Sequence, residues 1–421
     1  MATESKAKFP KSIDCRTTHS LAYGATVRPY KLFLGHFGYK EIKENISYPN
    51  KVLLLEYLKQ FCLSEHTSFT EFAHKFGDIS EFQIKIVNQY LERMATGEIQ
   101  CTHDFYLKYY HMLLANGTIT YEEPFDLIML DESGDLNPVT LEIFKLLPAK
   151  RKVMVGDQHQ NIYTFNHTIN CFEEMKDEGA MFPMTQSFRV NENIATKIES
   201  FCKKCVDPTM EFKGIPLTDD RIKTRAFIAR TNGSLIGKMM ELNDMNVPYT
   251  LSRPAKSIFR VPLLLCSLKP RGFVPDAEYN HLQDDVNEYY ADMDLKEEYS
   301  LLGYIKNKHE EDVTLQSAAN IIINYGATAV IDCFERAKRN EKVKANYMLC
   351  SAHSAKGLEF DEVTLAADME KSIAESVGLV AETGIHPSKL TADARSELNL
   401  YYVACSRAKK VLNGANYLNR L

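Results

Sequence analysis

A chain of 421 residues with an apolar fraction of 45% and a charged fraction of 25% has ordinary globular composition. It is too long for one core, so two or more domains are expected. No apolar run reaches the length of a membrane span and residues 1–15 lack the apolar stretch of a secretory leader, so no membrane partner is expected. The net charge of −6 excludes a chain-wide basic footprint for nucleic acid, and ten cysteines without a disulfide framework point to an intracellular compartment, cytoplasmic or nuclear according to the host.

In chain order, residues from about 36 to 96 carry Tyr, Phe and Leu at helical spacing and are expected to be wholly helical. Apolar runs that end in polar or acidic residues come next. Phe125–Leu130 runs into Asp131, Lys152–Val155 into Gly156 and Asp157, and Ala226–Ala229 into Arg230. Tyr347–Cys350 and Val363–Ala367 are of the same kind. Such runs predict strands of parallel sheets, covered by helices on both faces. Helical patterns at about 138–147, 191–205, 234–245 and 394–412 lie between them. The alternation predicts doubly wound α/β domains with chemistry at the carboxyl ends of the strands. Residues from about 269 to 344 are again mainly helical, and acids concentrate at 283–312, where they would repel a phosphate backbone.

Local basic clusters stand at Arg221, Lys223 and Arg225, at Arg253, Lys256 and Arg260, and at Arg336, Lys338 and Arg339. Each alone reads as a solvated face. Cys202 and Cys205 form a C-x-x-C without a second half, which reads as two incidental helix thiols and not as a zinc site.

Five elements carry chemistry. Leu130-Asp131-Glu132 delivers two carboxylates to a strand end, the Walker B arrangement, in which one acid holds Mg²⁺ and the next polarises water. The stretch from Val155 to Tyr163 places Gln160 three residues after Asp157, where a neutral amide can report a γ-phosphate. Tyr163 and Phe165 follow two apart, placed to stack on unpaired bases at roughly 1–3 kcal/mol each. Alone, they would read as core aromatics. Then come Met184–Arg189, Ser351–Phe360 and Glu397–Lys410, the last with a helical period that buries Leu400, Val403 and Ala404 and lets Arg407 project from the helix end. Two arginines from different elements can converge on one γ-phosphate, although a single arginine is more often a surface ion pair.

In order and spacing these elements resemble the UvrD/Rep-like superfamily-1 DNA helicases, nearest to the F-box DNA helicase branch in the strings His103–Lys108, Gly156–Phe165 and Thr185–Arg189. Cys15–Tyr23 is similar to the motif that touches the DNA backbone just after the phosphate loop. The resemblance covers nearly the whole chain. It implies an α/β fold of two RecA-like parallel-sheet domains of the P-loop NTPase type with mainly helical insertions. The first domain comprises 1–35 and 97–182, interrupted by 36–96, and the second 183–268 and 345–421, interrupted by 269–344. It also implies an ATP-dependent helicase or translocase on single-stranded DNA or single/double-strand junctions, typically 3′ to 5′, in repair, recombination or replication.

The cofactors so implied are ATP and Mg²⁺. By the same resemblance Asp131 is the magnesium ligand, Glu132 the general base and Gln160 the γ-phosphate sensor. Arg189 and Arg407 are the arginine fingers, Phe188 stacks on adenine, and Glu359 lies near the nucleotide sugar. Thr18, His19, Tyr163, Phe165 and His353 line the single-strand path.

Three departures stand out. The Gly-rich loop ending in Gly-Lys-Thr or Gly-Lys-Ser is absent, and the nearest string, Gly233–Met239, is one residue short with Met239 in place of the hydroxyl. Where relatives commonly have Gln in Asp-Glu-x-Gln-Asp, Gly134 stands, which removes a coupling contact. After Phe165, Asn166-His167-Thr168 replaces Arg-Gly-Ala and loses a DNA-facing cation. The missing loop is expected to mark a truncated or split sequence. An ATPase-deficient single-strand-binding remnant and one half of a split helicase, completed by a separate chain carrying the Walker A segment, are the alternatives. A protein-interaction scaffold is a third class.

Overall fold

The computed structural model describes residues 6–76, 79–162, 169–276 and 278–420. The chain forms two compact units, Met1–Met181 and Phe182–Leu421.

Unit 1 opens with α1, Thr18–Ala25, whose N-cap Thr17 accepts the Ser20 amide at 3.1 Å. Three helices follow: α2 Tyr48–Leu63, α3 Phe69–Phe76 and α4 Glu81–Ala95. Residues 36–47 are not helical, which corrects the expectation of helix throughout 36–96. The chain starts α2 with Ser47 at the N-cap and Pro49 in the first turn, where proline's missing amide costs nothing. Helix α4 starts on a capping box between Ser80 and Gln83, a feature that contributes about 1 kcal/mol.

Next is α5, His103–Ala115, which turns Phe105, Tyr106, Leu107, Tyr110 and Leu113 into the core of this unit. Two short parallel strands complete it, β1 Ile128–Leu130 and β2 Lys152–Met154, with α6, Pro138–Leu146, between them. A helical crossover is what parallel pairing requires.

Unit 2 begins with β3, Gln186–Asn191, then α7, Glu192–Cys205, and β4, Lys213–Ile215, parallel to β3. Cys202 and Cys205 both face the core from α7. A five-stranded parallel sheet follows in the order β6-β7-β5-β8-β9. Its strands are β5 Arg225–Ala229, β6 Thr250–Leu251, β7 Tyr347–Ser351, β8 Phe360–Leu365 and β9 Ala408–Asn413.

Helix α8, Asn232–Asp244, follows β5. The segment between β6 and β7 is helical and includes α9 Leu282–Ala291, α10 Leu301–Lys308, α11 Val313–Tyr325 and α12 Ala327–Asn340. Beyond β7 stand the short α13, Ala352–Ala355, and then α14, Ala392–Cys405. The helix expected over 394–412 therefore ends at Cys405, and residues 408–413 form β9. Parallel pairing with β8 outweighs the helical period there, because it satisfies a full row of backbone groups.

Among the described residues no helix is long and apolar enough to cross a membrane. Parallel sheets ending in polar turns make both units α/β, the arrangement of RecA-like domains.

Candidate functional site: two sets of charged residues at strand ends

In unit 1 the two strands deliver their polar residues side by side. Asp131 is exposed just past β1, and its Oδ1 accepts the Glu132 amide at 3.0 Å. Glu132 sits at φ +56°, ψ +40°, a left-handed conformation that is costly for a residue with a Cβ. The turn that enforces it is tightly held. The Ser133 amide donates to Val155 O at 2.9 Å and the Ser133 hydroxyl to Leu130 O at 2.9 Å. Strain of this kind, set beside an exposed carboxylate, is characteristic of reactive sites.

Past β2, Asp157 caps a short turn, its Oδ1 accepting the His159 amide at 2.9 Å. Its Oδ2 accepts the Gln160 side-chain amide at 3.0 Å, which fixes the direction of that side chain. The positioning role of Asp157 was not inferred from sequence, although the Gly156-Asp157 pair was the visible signal. The structure thus brings Asp131, Glu132 and Gln160 to adjacent strand ends.

Gly134 accounts for one departure from the family pattern. A Cβ there would collide with the Asp157 carbonyl oxygen. A Cβ on Gly156 would lie 2.7 Å from the Ser133 nitrogen and 2.9 Å from the Gly134 nitrogen. Backbone packs against backbone here, and a glutamine at 134 has no room.

In unit 2, Arg189 leaves β3 and its Nε donates to Glu359 Oε2 at 2.8 Å. Lys409 Nζ lies 3.1 Å from the other oxygen of Glu359. Burial pushes the Glu359 carboxyl up, but Lys409 and Arg189 outweigh it and hold the group below its ordinary value. Asn191 anchors the arrangement: its Nδ2 donates to the Lys409 and Lys410 carbonyls at 3.1 and 2.8 Å, and its Oδ1 caps α7 by accepting the Ile194 amide at 3.1 Å. Neither Lys409 nor Asn191 was singled out from the sequence, because neither role has a local signature. Phe188, next to Arg189, is 82% exposed.

Arg407 corrects an expectation. It does not project from the end of α14 but is 2% exposed and folds back. Its Nε donates to Val403 O at 2.9 Å and its Nη2 to Ser406 Oγ at 2.8 Å. The last carbonyls of a helix lack amide partners, and a guanidinium satisfies them while matching the negative helix end. The Arg407 carbonyl accepts the Phe360 amide at 3.0 Å, so its backbone adjoins Glu359.

The residues expected along a nucleic-acid strand are spread over both units. Thr18 and His19 open α1, and His19 packs edge-on against Tyr106 with ring centroids 5.8 Å apart. Burial lowers the His19 pKa, partly offset by Asp104. His353 is half-buried in α13. Tyr163 and Phe165, with Asn166, His167 and Thr168, lie outside the described residues.

Several cations of the basic clusters are already paired: Arg221 with Asp219, Arg225 with Glu362, and Arg260 with Asp276 and Glu278. The string Gly233–Met239 lies inside α8, with Lys238 bonded to Glu241 at 2.6 Å, so it is a helix and no phosphate cradle.

Two carboxylates and a carboxamide side chain at neighbouring strand ends of an α/β unit are an arrangement found in nucleotide-driven motors. The sequence matches the UvrD/REP helicase N-terminal domain over residues 13–178 and the UvrD-like helicase C-terminal domain over residues 274–414. The chain belongs to the UvrD/Rep-like helicase family. It is similar to F-box DNA helicase protein 1 of Schizosaccharomyces pombe, at 24% identity over 97% of this chain and 50% of that protein. It is also similar to F-box DNA helicase 1 of Gallus gallus, at 22% identity over 100% of this chain and 44% of that protein. The chain spans about half the length of the curated relatives it matches.

Proposed function

We propose that the chain works as an ATP-dependent DNA helicase or translocase on single-stranded DNA, moving 3′ to 5′, in repair, recombination or replication. One observation carries this reading. The strained Glu132 stands beside exposed Asp131 at one strand end, and Asp157 holds Gln160 at the next.

Asp131 offers hard carboxylate oxygens of the kind Mg²⁺ takes, and the ion would neutralise phosphate charge. Glu132 withdraws a proton from the attacking water, and Gln160 reads the γ-phosphate. Arg189 and Arg407 counter the charge that develops during transfer, Arg407 after leaving its helix-end bonds. Phe188, exposed and unconstrained by packing, supplies a ring for adenine, and Glu359 serves the sugar. Thr18, His19, Tyr163, Phe165 and His353 contact the strand. The segments 36–96 and 269–344 are insertions into the two RecA-like cores.

A second reading rests on Arg407, whose guanidinium is 2% exposed and bonded to Val403 O and Ser406 Oγ, away from solvent. It makes the chain an ATPase-deficient single-strand binder. Strand separation decides between the two. The motor reading predicts ATP-dependent unwinding of a duplex with a 3′ single-stranded tail and none with a 5′ tail. Salt-sensitive DNA affinity without unwinding or ATP turnover would establish the second reading instead.

A further inference from the structure

We infer that the helical segment between β6 and β7 carries a divalent transition-metal site, of the zinc class, built from His281, Asp285 and His309. Their candidate ligand atoms all lie within 4.8 Å of one another. His309 Nε2 is 2.7 Å from Asp285 Oδ2, and the two imidazole rings are 5.0 Å apart at their centroids.

The scaffold suits a coordinating role. The Asp285 amide donates to the His281 carbonyl at 3.3 Å in the first turn of α9, so the two side chains share one helix face. His309 ends α10, with its amide donating to Ile305 O at 3.1 Å. Its carbonyl accepts the Gln316 side-chain amide from α11 at 2.9 Å. The backbones of His309 and Asp285 are thus pinned by three helices, while the exposed His281 already presents a ring nitrogen to the same cluster.

A hydrogen-bonded Asp285–His309 pair alone would explain two of the three residues, but not the second imidazole converging on the same carboxylate. The outer contacts resemble those that orient metal ligands. Lys308 Nζ lies 2.8 Å from Asp285 Oδ1 and 2.6 Å from Glu288 Oε2. Lys308 thereby holds one oxygen of the 5%-exposed Asp285 and turns Oδ2 toward the imidazoles. Two carboxylates against one ammonium leave one negative charge, which favours a cation. Two imidazoles and one carboxylate suit Zn²⁺, with bonds of roughly 2.0–2.2 Å and a fourth position for water. The ion would staple α9 to α10. None of these residues belongs to the proposed ATP or DNA machinery.

The test is titration of the chelator-treated full chain with Co²⁺ in excess Mg²⁺, followed by visible absorption, with melting temperature measured in parallel with Zn²⁺. One equivalent of Co²⁺ should give tetrahedral absorption that Zn²⁺ displaces, and Zn²⁺ should raise the melting temperature by a few degrees. His281→Ala removes an exposed ligand, so its metal-free melting temperature should match wild type. It should weaken Co²⁺ binding about tenfold or more and abolish the Zn²⁺ shift. His309→Gln should do the same to metal affinity. No saturable Co²⁺ binding, or equal affinity in wild type and His281→Ala, overturns the site.

Discussion

Arg189 and Glu359 stand 170 residues apart in sequence and form an ion pair of 2.8 Å in unit 2. Their side chains are 38% and 47% exposed. A pair so open to water contributes little to stability, of the order of 0–1 kcal/mol. Its role is therefore better sought in holding the guanidinium in place. Glu359→Gln should leave the melting temperature unchanged within about a degree and raise the KM for ATP. Arg189→Ala should lower kcat by about 10³-fold with a far smaller change in KM, as expected for a group that acts on the transition state. Steady-state kinetics on both variants checks this.

Asn191 links β3, α7 and β9 through three hydrogen bonds. Asn191→Ala removes a helix cap and two bonds to carbonyls, with a summed cost of about 2–3 kcal/mol. Chemical denaturation should show that loss. Turnover should fall as well, because Arg189 sits two residues away on the same strand.

Gly134 allows the Glu132 turn to pack on Asp157. Gly134→Gln should therefore not restore the family's coupling contact. It should destabilise the protein by about 1–3 kcal/mol through overpacking and lower turnover. Melting and ATPase assays on this variant give both readouts.

Lys108 is fully buried in α5, its Nζ donating to Ser64 O at 2.9 Å and lying 4.5 Å from the Phe61 ring centre. Burial pulls its pKa down from 10.5 to about 8, only partly resisted by Cys62, Glu65 and Glu142. The folded protein thus gives up this proton before the unfolded chain does. Between about pH 8 and 10.5 the unfolded state binds more protons, so this group makes stability rise with pH, by up to about 3 kcal/mol. Lys108→Met should raise stability at pH 7 and remove that rise. Denaturation at a series of pH values measures it.

Much of the candidate site was visible in the sequence because its signals are local. An apolar run ending in Asp131 and Glu132 reads as a strand that presents carboxylates, and the structure has β1 there. The strand runs through 347–350 and 226–229 were equally plain, since parallel strands are apolar on both faces. What escaped was set by tertiary packing. The segment 408–413 has a helical period, yet a waiting edge of β8 makes it a strand. Arg407 is expected to project from the helix end, but the unsatisfied end of α14 draws it in. The convergence of His281, Asp285 and His309 depends on how α9 meets α10, and no spacing rule announces it.

In the proposed motor cycle Glu132 drives water onto ATP when the protein is on DNA. The direct measurement is the rate of ATP hydrolysis, with and without a single-stranded oligonucleotide, for wild type and Glu132→Gln, with DNA affinity measured on both. Wild-type turnover stimulated by DNA, reduced at least about 10²-fold by Glu132→Gln with DNA affinity retained, is the predicted result. Turnover that ignores DNA, or that survives in Glu132→Gln, would contradict it.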